Sequence, residues 1–185
     1  MLHADTVGNA HASGFEENGF TIFRDALEAK ARASFAHCVT EPHGAMGALS
    51  YDPPSAQCPA RVAFHIDNPK QPGSIFDDSG YLRECLLNLM ADAAAKHGAT
   101  ELMTGTWLNS YPPFLRFFPQ EYTEQNMSLD HRGVRSGDGT WGQFVNARGC
   151  LNRKHATHFR QTGNPPYPRQ TSWCTFESLR RHLVG

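Results

Sequence analysis

No stretch of this sequence is apolar for long enough to cross a bilayer. The first residues, "MLHADTVGNAHASG", lack a basic segment followed by an apolar one, so no secretory signal is read there and a cytoplasmic location is expected. Charge of a single sign is also missing. Seventeen Lys and Arg stand against 18 Asp and Glu, and no basic run marks a phosphate-binding stripe. Nucleic acid is therefore not an expected partner. The five cysteines, Cys38, Cys58, Cys85, Cys150 and Cys174, form no C-x-x-C and are odd in number. That excludes a zinc knuckle and argues against a disulfide framework. There is no G-x-S-x-G, no P-loop, no H-E-x-x-H and no dinucleotide fingerprint. Internal repeats and low-complexity segments are absent too.

What is present is enough apolar material for a core: 39% of 185 residues, with 12 Phe and 3 Trp. Residues 1–18 are small and polar and read as a flexible arm, leaving 19–185 as one domain. "GFTIF" (19–23) reads as a strand, and the following segment to residue 39 as a helix begun at Asp25 and Glu28. Residues 41–60 hold four prolines and two glycines and read as a long loop. "RVAFHI" (61–66) is a strand. Residues 80–97 form the longest helix, with Ser79 as its N-cap and Gly98 just past its end. Tyr81, Leu82, Cys85, Leu86, Leu89, Met90 and Ala93 make its apolar face.

"TELMTGTWL" (100–108) returns as a strand, so strand, helix and strand predict a right-handed crossover with parallel pairing. "NSYPPFLRFFPQEY" is a short helix between turns. A strand is predicted over 141–145, a helix over 151–161, and "RQTSWCTF" as a last strand running into a C-terminal helix. Phe176, Leu179 and Leu183 would pack that helix down. The fold class is α/β, with a central mostly parallel or mixed sheet of about four to six strands and packed helices.

The chemistry centres on "FHIDNP" (64–69). His65 and Asp67 stand two apart, on one side of a strand if it continues that far. Three readings are open: a metal-binding pair, an acid/base pair, or a histidine beside a turn begun by Asp67 and Asn68. In open α/β sheets ligands bind at the carboxyl edge of the strands. Parallel pairing would bring His65 to the same edge as "TWLN". On that basis the candidate catalytic residues are His65, Asp67 and Asn109. His65 would act as general acid/base, Asp67 would orient it, and Asn109 would position the substrate. Trp107, Tyr111, Trp141, Gln143 and Glu84 are the candidate substrate-binding residues, Trp141 and Gln143 sharing one face of their strand. Each has a plainer alternative: core tryptophans, a turn asparagine, a solvated glutamate. His155 and His158 have chelating spacing on a helix but no evident third ligand, so no metal site and no cofactor are expected.

Two resemblances add to this. The run from "VAFHI" through "SIFDDSGYLRECLLNLM" to "TGTWLNSYPPFLRFFPQEY" and "WGQFV", roughly residues 61–145, resembles uncharacterised bacterial proteins similar to the C-terminal domain found beside acyltransferase-like domains. It implies a mixed α/β fold and no jelly roll. "NGFTIFRDALE" resembles the opening of phytanoyl-CoA-type dioxygenases. That likeness implies His65 and Asp67 as iron ligands, His131 or His158 as the distal histidine, and Arg169 on the 2-oxoglutarate carboxylate. The long helix after the ligand pair weighs against it, because those enzymes use a double-stranded β-helix.

The function expected is thus a small soluble enzyme acting on a small organic molecule by non-redox acid/base chemistry of acyl-transfer or lyase type. The alternatives are a non-catalytic ligand- or partner-binding accessory domain and an iron/2-oxoglutarate dioxygenase. The expected partners are a small-molecule ligand and, as an option, a second copy of the chain.

Overall fold

Strand β2 (Arg61–Ile66) sets the orientation of everything around it. Its residues alternate, Val62 and Phe64 inward and His65 outward. In the computed structural model, residues 46–128 and 138–185 are described. All of them belong to one compact unit, Pro42–Gly185. The expected arm over 1–18, the strand at 19–23, the helix ending at 39, Cys38 and His131 lie outside the described residues.

After β2 the chain turns through a Pro- and Gly-rich connection into helix α1 (Ser79–His97). Leu82, Cys85, Leu86, Leu89, Met90 and Ala93 recur every three or four residues and are buried. The N-cap is Asp78 rather than Ser79: its Oδ1 accepts from the backbone N–H groups of Gly80 and Tyr81. A carboxylate meets the helix's unpaired N–H groups more strongly than a hydroxyl does. Gly98 closes the helix in the left-handed region, φ 63°, where a Cβ is disfavoured.

The crossover delivers β3 (Glu101–Thr106) parallel to β2, with Val62 opposite Leu102. Next come a 3₁₀ turn (Trp107–Ser110), helices α2 (Pro112–Leu115) and α3 (Gln120–Glu124), and strand β4 (Asn126–Ser128). Beyond the undescribed stretch lie α4 (Asp138–Trp141), a second 3₁₀ turn (Gly142–Phe144) and α5 (Arg153–Thr162). Strand β5 (Gln170–Thr175) and helix α6 (Phe176–Val184) end the chain. Phe176, Leu179 and Leu183 are buried as expected.

The sheet is mixed, in the order β1-β2-β3-β5-β4, where β1 is Leu49–Asp52. Among the described residues only the β2–β3 pair is parallel. The class is therefore α/β as expected, with the mixed sheet rather than the mostly parallel one. Two local expectations are corrected. The 41–60 segment is not all loop: "LSYD" pairs antiparallel with β2, the prolines Pro53 and Pro54 falling just after the strand, where they end it. The segment 141–145 is not a strand. It is helical and turned, because the Gln143 side chain is drawn inward onto backbone carbonyls, and such contacts override the β-propensity of "WGQFV".

The core lies between α1, α3, α6 and one face of the sheet. Phe118 stacks on Tyr122 with ring centroids 4.0 Å apart and on Phe64 at 6.2 Å. Leu86, Leu89, Leu102 and Leu179 are buried with them.

Candidate active site

Residues that alternate away from the core on β2 and β3, namely Ala63, His65, Met103 and Gly105, line a cleft of about 640 Å³. Trp107 and Arg169 also line it. The cleft runs along the carboxyl-terminal halves of the parallel pair, the edge at which α/β sheets hold ligands.

His65 is tied to Asp52, with Nε2 and Oδ2 2.8 Å apart. The strand register explains the pairing. Ser50 lies opposite His65 and Asp52 opposite Ala63, so Asp52 is the diagonal neighbour of His65 on the same face. An ionised carboxylate only accepts, so Nε2–H donates to Asp52 and Nδ1 is left as the basic nitrogen of the neutral ring. The two side chains are 60% and 65% exposed, so the pair is in contact with water.

Asp67 does not hold His65. It lies past the end of β2, exposed, and its backbone N–H donates to Ala48 O at 2.9 Å, fastening the turn to the residue before β1. The strand stops one residue too early for Asp67 to share the face of His65.

Asn109 is buried, only 2% exposed. Its Nδ2 donates to Thr104 O and Gln170 O, each at 2.8 Å, and its Oδ1 accepts from the Tyr122 hydroxyl at 2.8 Å. It clamps β3 to β5 and does not line the cleft. Gln143 behaves alike. Nε2 donates to Thr140 O and Tyr167 O, and Oε1 accepts from the Tyr167 N–H.

Trp107 walls the cleft, with Tyr111 and Tyr167 against it at ring-centroid distances of 5.5 and 5.8 Å. Tyr111 is in the supporting layer, packed also on Phe76. Trp141 is 44% exposed and packs on Phe144 and Phe159, not on the cleft. With no strand at 141–145, Trp141 and Gln143 share no face. Glu84 sits exposed on the outer side of α1 and lines no part of the cleft.

The residues that the sequence reading missed are Asp52, Gly105 and Met103. Asp52 was hidden because "LSYD" lies in a proline-rich stretch; its apolar–polar alternation was the available signal.

The described cysteines Cys58, Cys85, Cys150 and Cys174 are free thiols. Burial pushes the Cys174 thiol up to about 12, with Glu121 and Glu101 adding to it, so it is protonated and a poor nucleophile at neutral pH. Burial likewise holds the Tyr122 hydroxyl well above its usual range.

Among the described residues no cluster of three or more His, Cys, Asp or Glu is placed to hold a metal ion. His65 faces Asp52, Asp67 turns away, and His158 lies exposed on α5, outside the cleft lining. Among the described residues the strands form one sheet, not the paired sheets of a double-stranded β-helix. These residues do not fit the facial triad that the dioxygenase resemblance implied.

No family model matches this chain, and no curated protein matches it. Among solved structures it is similar to an acyltransferase in complex with decanoyl-CoA and teicoplanin. The TM-score is 0.43 and the identity 12%, over 71% of this chain and 46% of that one. An acyltransferase in complex with CoA and 10C-teicoplanin gives a TM-score of 0.38 and 10% identity, with the same coverage. The chain thus spans less than half the length of these acyltransferases, and the likeness is a distant one of fold. No helix among the described residues is long and apolar enough to cross a membrane.

Proposed function

We propose that the cleft carries out non-redox acid/base chemistry on a small organic molecule, with His65 moving the proton and Asp52 holding its ring. The observation that carries this is the 2.8 Å His65–Asp52 contact at a cleft on the carboxyl edge of the parallel pair. Imidazole is the side chain suited to gaining and losing a proton near neutral pH. Asp52 directs Nε2, so Nδ1 is the nitrogen that takes a proton from a substrate hydroxyl or amine. Trp107 supplies an apolar wall and Arg169 a cation. Acyl transfer and elimination both need such a base.

The test is turnover of a panel of small thioesters and esters, with decanoyl-CoA as the first probe and thiol release as the readout. His65→Gln is expected to lower the rate by roughly 10²–10⁴-fold with the fold intact. Asp52→Asn should fall between this variant and the native chain, and Asp67→Asn should match the native rate. Turnover by His65→Gln equal to the native chain would refute the assignment.

A second reading, a non-catalytic ligand-binding domain, is favoured by the exposure of the His65–Asp52 pair, since water screens it. Saturable binding in the cleft with no turnover of any member of the panel would select that reading.

A further inference from the structure

Among the described residues four large apolar side chains stand exposed: Trp141, Val145, Leu151 and Val184. The first three share one segment, at 44%, 54% and 58% exposure. Val145 and Leu151 are antiparallel bridge partners, so their side chains leave the same side of a short ribbon. The ribbon is closed by Asn146 N–H donating to Cys150 O at 2.8 Å and Asn152 N–H to Phe144 O at 2.7 Å. Its tip is fixed from within. Asn146 Oδ1 accepts from the N–H groups of Arg148 and Cys150, at 2.9 and 3.0 Å. Gly149 takes the left-handed turn there, φ 73°, where a Cβ is disfavoured. Trp141 is backed by Phe144 and by Phe159 of α5. A hydrogen-bonded turn thus holds apolar groups out in water.

Charge is uneven in the same place. From residue 139 to residue 176 the sequence has no Asp or Glu, in a chain of net charge −1. Besides Arg169 in the cleft, this stretch carries Arg148 at the ribbon tip and Arg153, Lys154 and Arg160 on α5, all four exposed. Exposed apolar groups beside cations, with no carboxylate in the same stretch, are the composition of a surface that meets an apolar layer under anionic headgroups.

We propose that the 141–160 surface docks on an anionic lipid bilayer. Trp141, Val145 and Leu151 enter the headgroup boundary, and the four cations face the lipid charges. The chain lies on such a surface and does not span it. A second copy would bring the same cations together with no acid from this stretch to meet them. Nucleic acid is held by stacking on aromatic faces, whereas the two most exposed groups here are aliphatic. A ribbon presents a ridge, and a fluid bilayer receives a ridge without a matching groove. None of these side chains lines the cleft, so the inference stands apart from the acid/base reading.

The test is co-sedimentation of the full chain with sucrose-loaded vesicles, of phosphatidylcholine alone or mixed with phosphatidylserine. The chain should bind the mixed vesicles, and added salt should weaken binding by screening the cations. Val145→Ser/Leu151→Ser should bind about tenfold less tightly, through the apolar area lost. Arg153→Gln/Lys154→Gln should lose about 25-fold, each cation near the surface being worth about fivefold. All four residues are exposed, so unfolding midpoints should stay near the native value. If the serine variant does not fold, bromine-labelled lipid decides: it should quench the native tryptophan fluorescence, and Trp141→Phe should abolish that quenching. No binding to the mixed vesicles would overturn the proposal. Binding that a folded serine variant leaves unchanged would reduce it to adsorption by charge and overturn the docking. Quenching that survives in Trp141→Phe would do the same. A lipid-free dimer lost in the serine variant would assign the patch to a second copy, and capture of soluble poly-glutamate in preference to vesicles would assign it to an acidic protein. Either result would overturn the lipid surface.

Discussion

Asn109 and His65 stand at the same sheet edge and have opposite fates. Every polar contact Asn109 makes is internal, joining β3, β5 and Tyr122. Replacing it with Ala takes the amide donor from the buried Thr104 carbonyl and the half-buried Gln170 carbonyl, and the acceptor from the buried Tyr122 hydroxyl. Each such group costs roughly 1–3 kcal/mol, so the urea midpoint of Asn109→Ala should drop clearly. If Asn109 held substrate instead, the midpoint would stay put and ligand affinity would fall. His65 has one ring nitrogen engaged by a single carboxylate, that of Asp52 across a hairpin. The identity of that partner was not legible from spacing. Asp67 is nearer in sequence, but Asp52 is nearer in space.

At the scale of elements, α1 is where local signals and packing agree. Its apolar positions follow the helical repeat and all six buried ones meet the core. Leu86→Ala is expected to cost on the order of 2–5 kcal/mol, read as a shift in denaturation midpoint. The cap separates two adjacent residues that the sequence alone cannot. Asp78→Ala should lower the denaturation midpoint, while Ser79→Ala should change it little. The reverse ranking would return the cap to Ser79. By contrast, residues 141–145 have strand-like composition and, among the described residues, no strand to pair with beyond a single bridge between Val145 and Leu151. Their turned form depends on Gln143 reaching Tyr167, 24 residues away.

For the whole molecule, pH acts through groups whose neutral or charged form the fold selects. Burial and then the Asp92 hydrogen bond raise Tyr51 from 10.0 to about 12, and burial raises Cys174 from 9.0 to about 12. Both are acids with folded values above unfolded ones. Their contribution is complete below about pH 9 and is lost as pH rises toward 12, because unfolding then releases protons. The urea midpoint should therefore fall steadily between pH 9 and 11.5, and Cys174→Ala should give a shallower slope over that range. An equal slope in the variant would show that Cys174 titrates alike in both states. At the acid end the sign reverses. The Tyr51 hydrogen bond, then that of Lys96, lowers Asp92, so its share of stability is present at neutral pH and lost on acidification.

Sequence by itself determined the elements whose signals are local. The β2 alternation, the α1 repeat closed by Gly98, and the apolar face of α6 follow from backbone sterics and side-chain period, which need no partner to be read. It also determined that His65 and Trp107 belong to one edge, since a single helix joins their strands. Only the tertiary structure decided that β1 is a strand, that β5 sits antiparallel beside β3, and that Asp52 rather than Asp67 meets His65. It alone turned Asn109 and Gln143 inward and laid Arg169 on Gly105. The physical reason is common to all of these. Strand register and buried hydrogen bonds join residues far apart in the chain, and which partner a polar group takes is settled by the pairing that leaves the fewest buried donors and acceptors unmet.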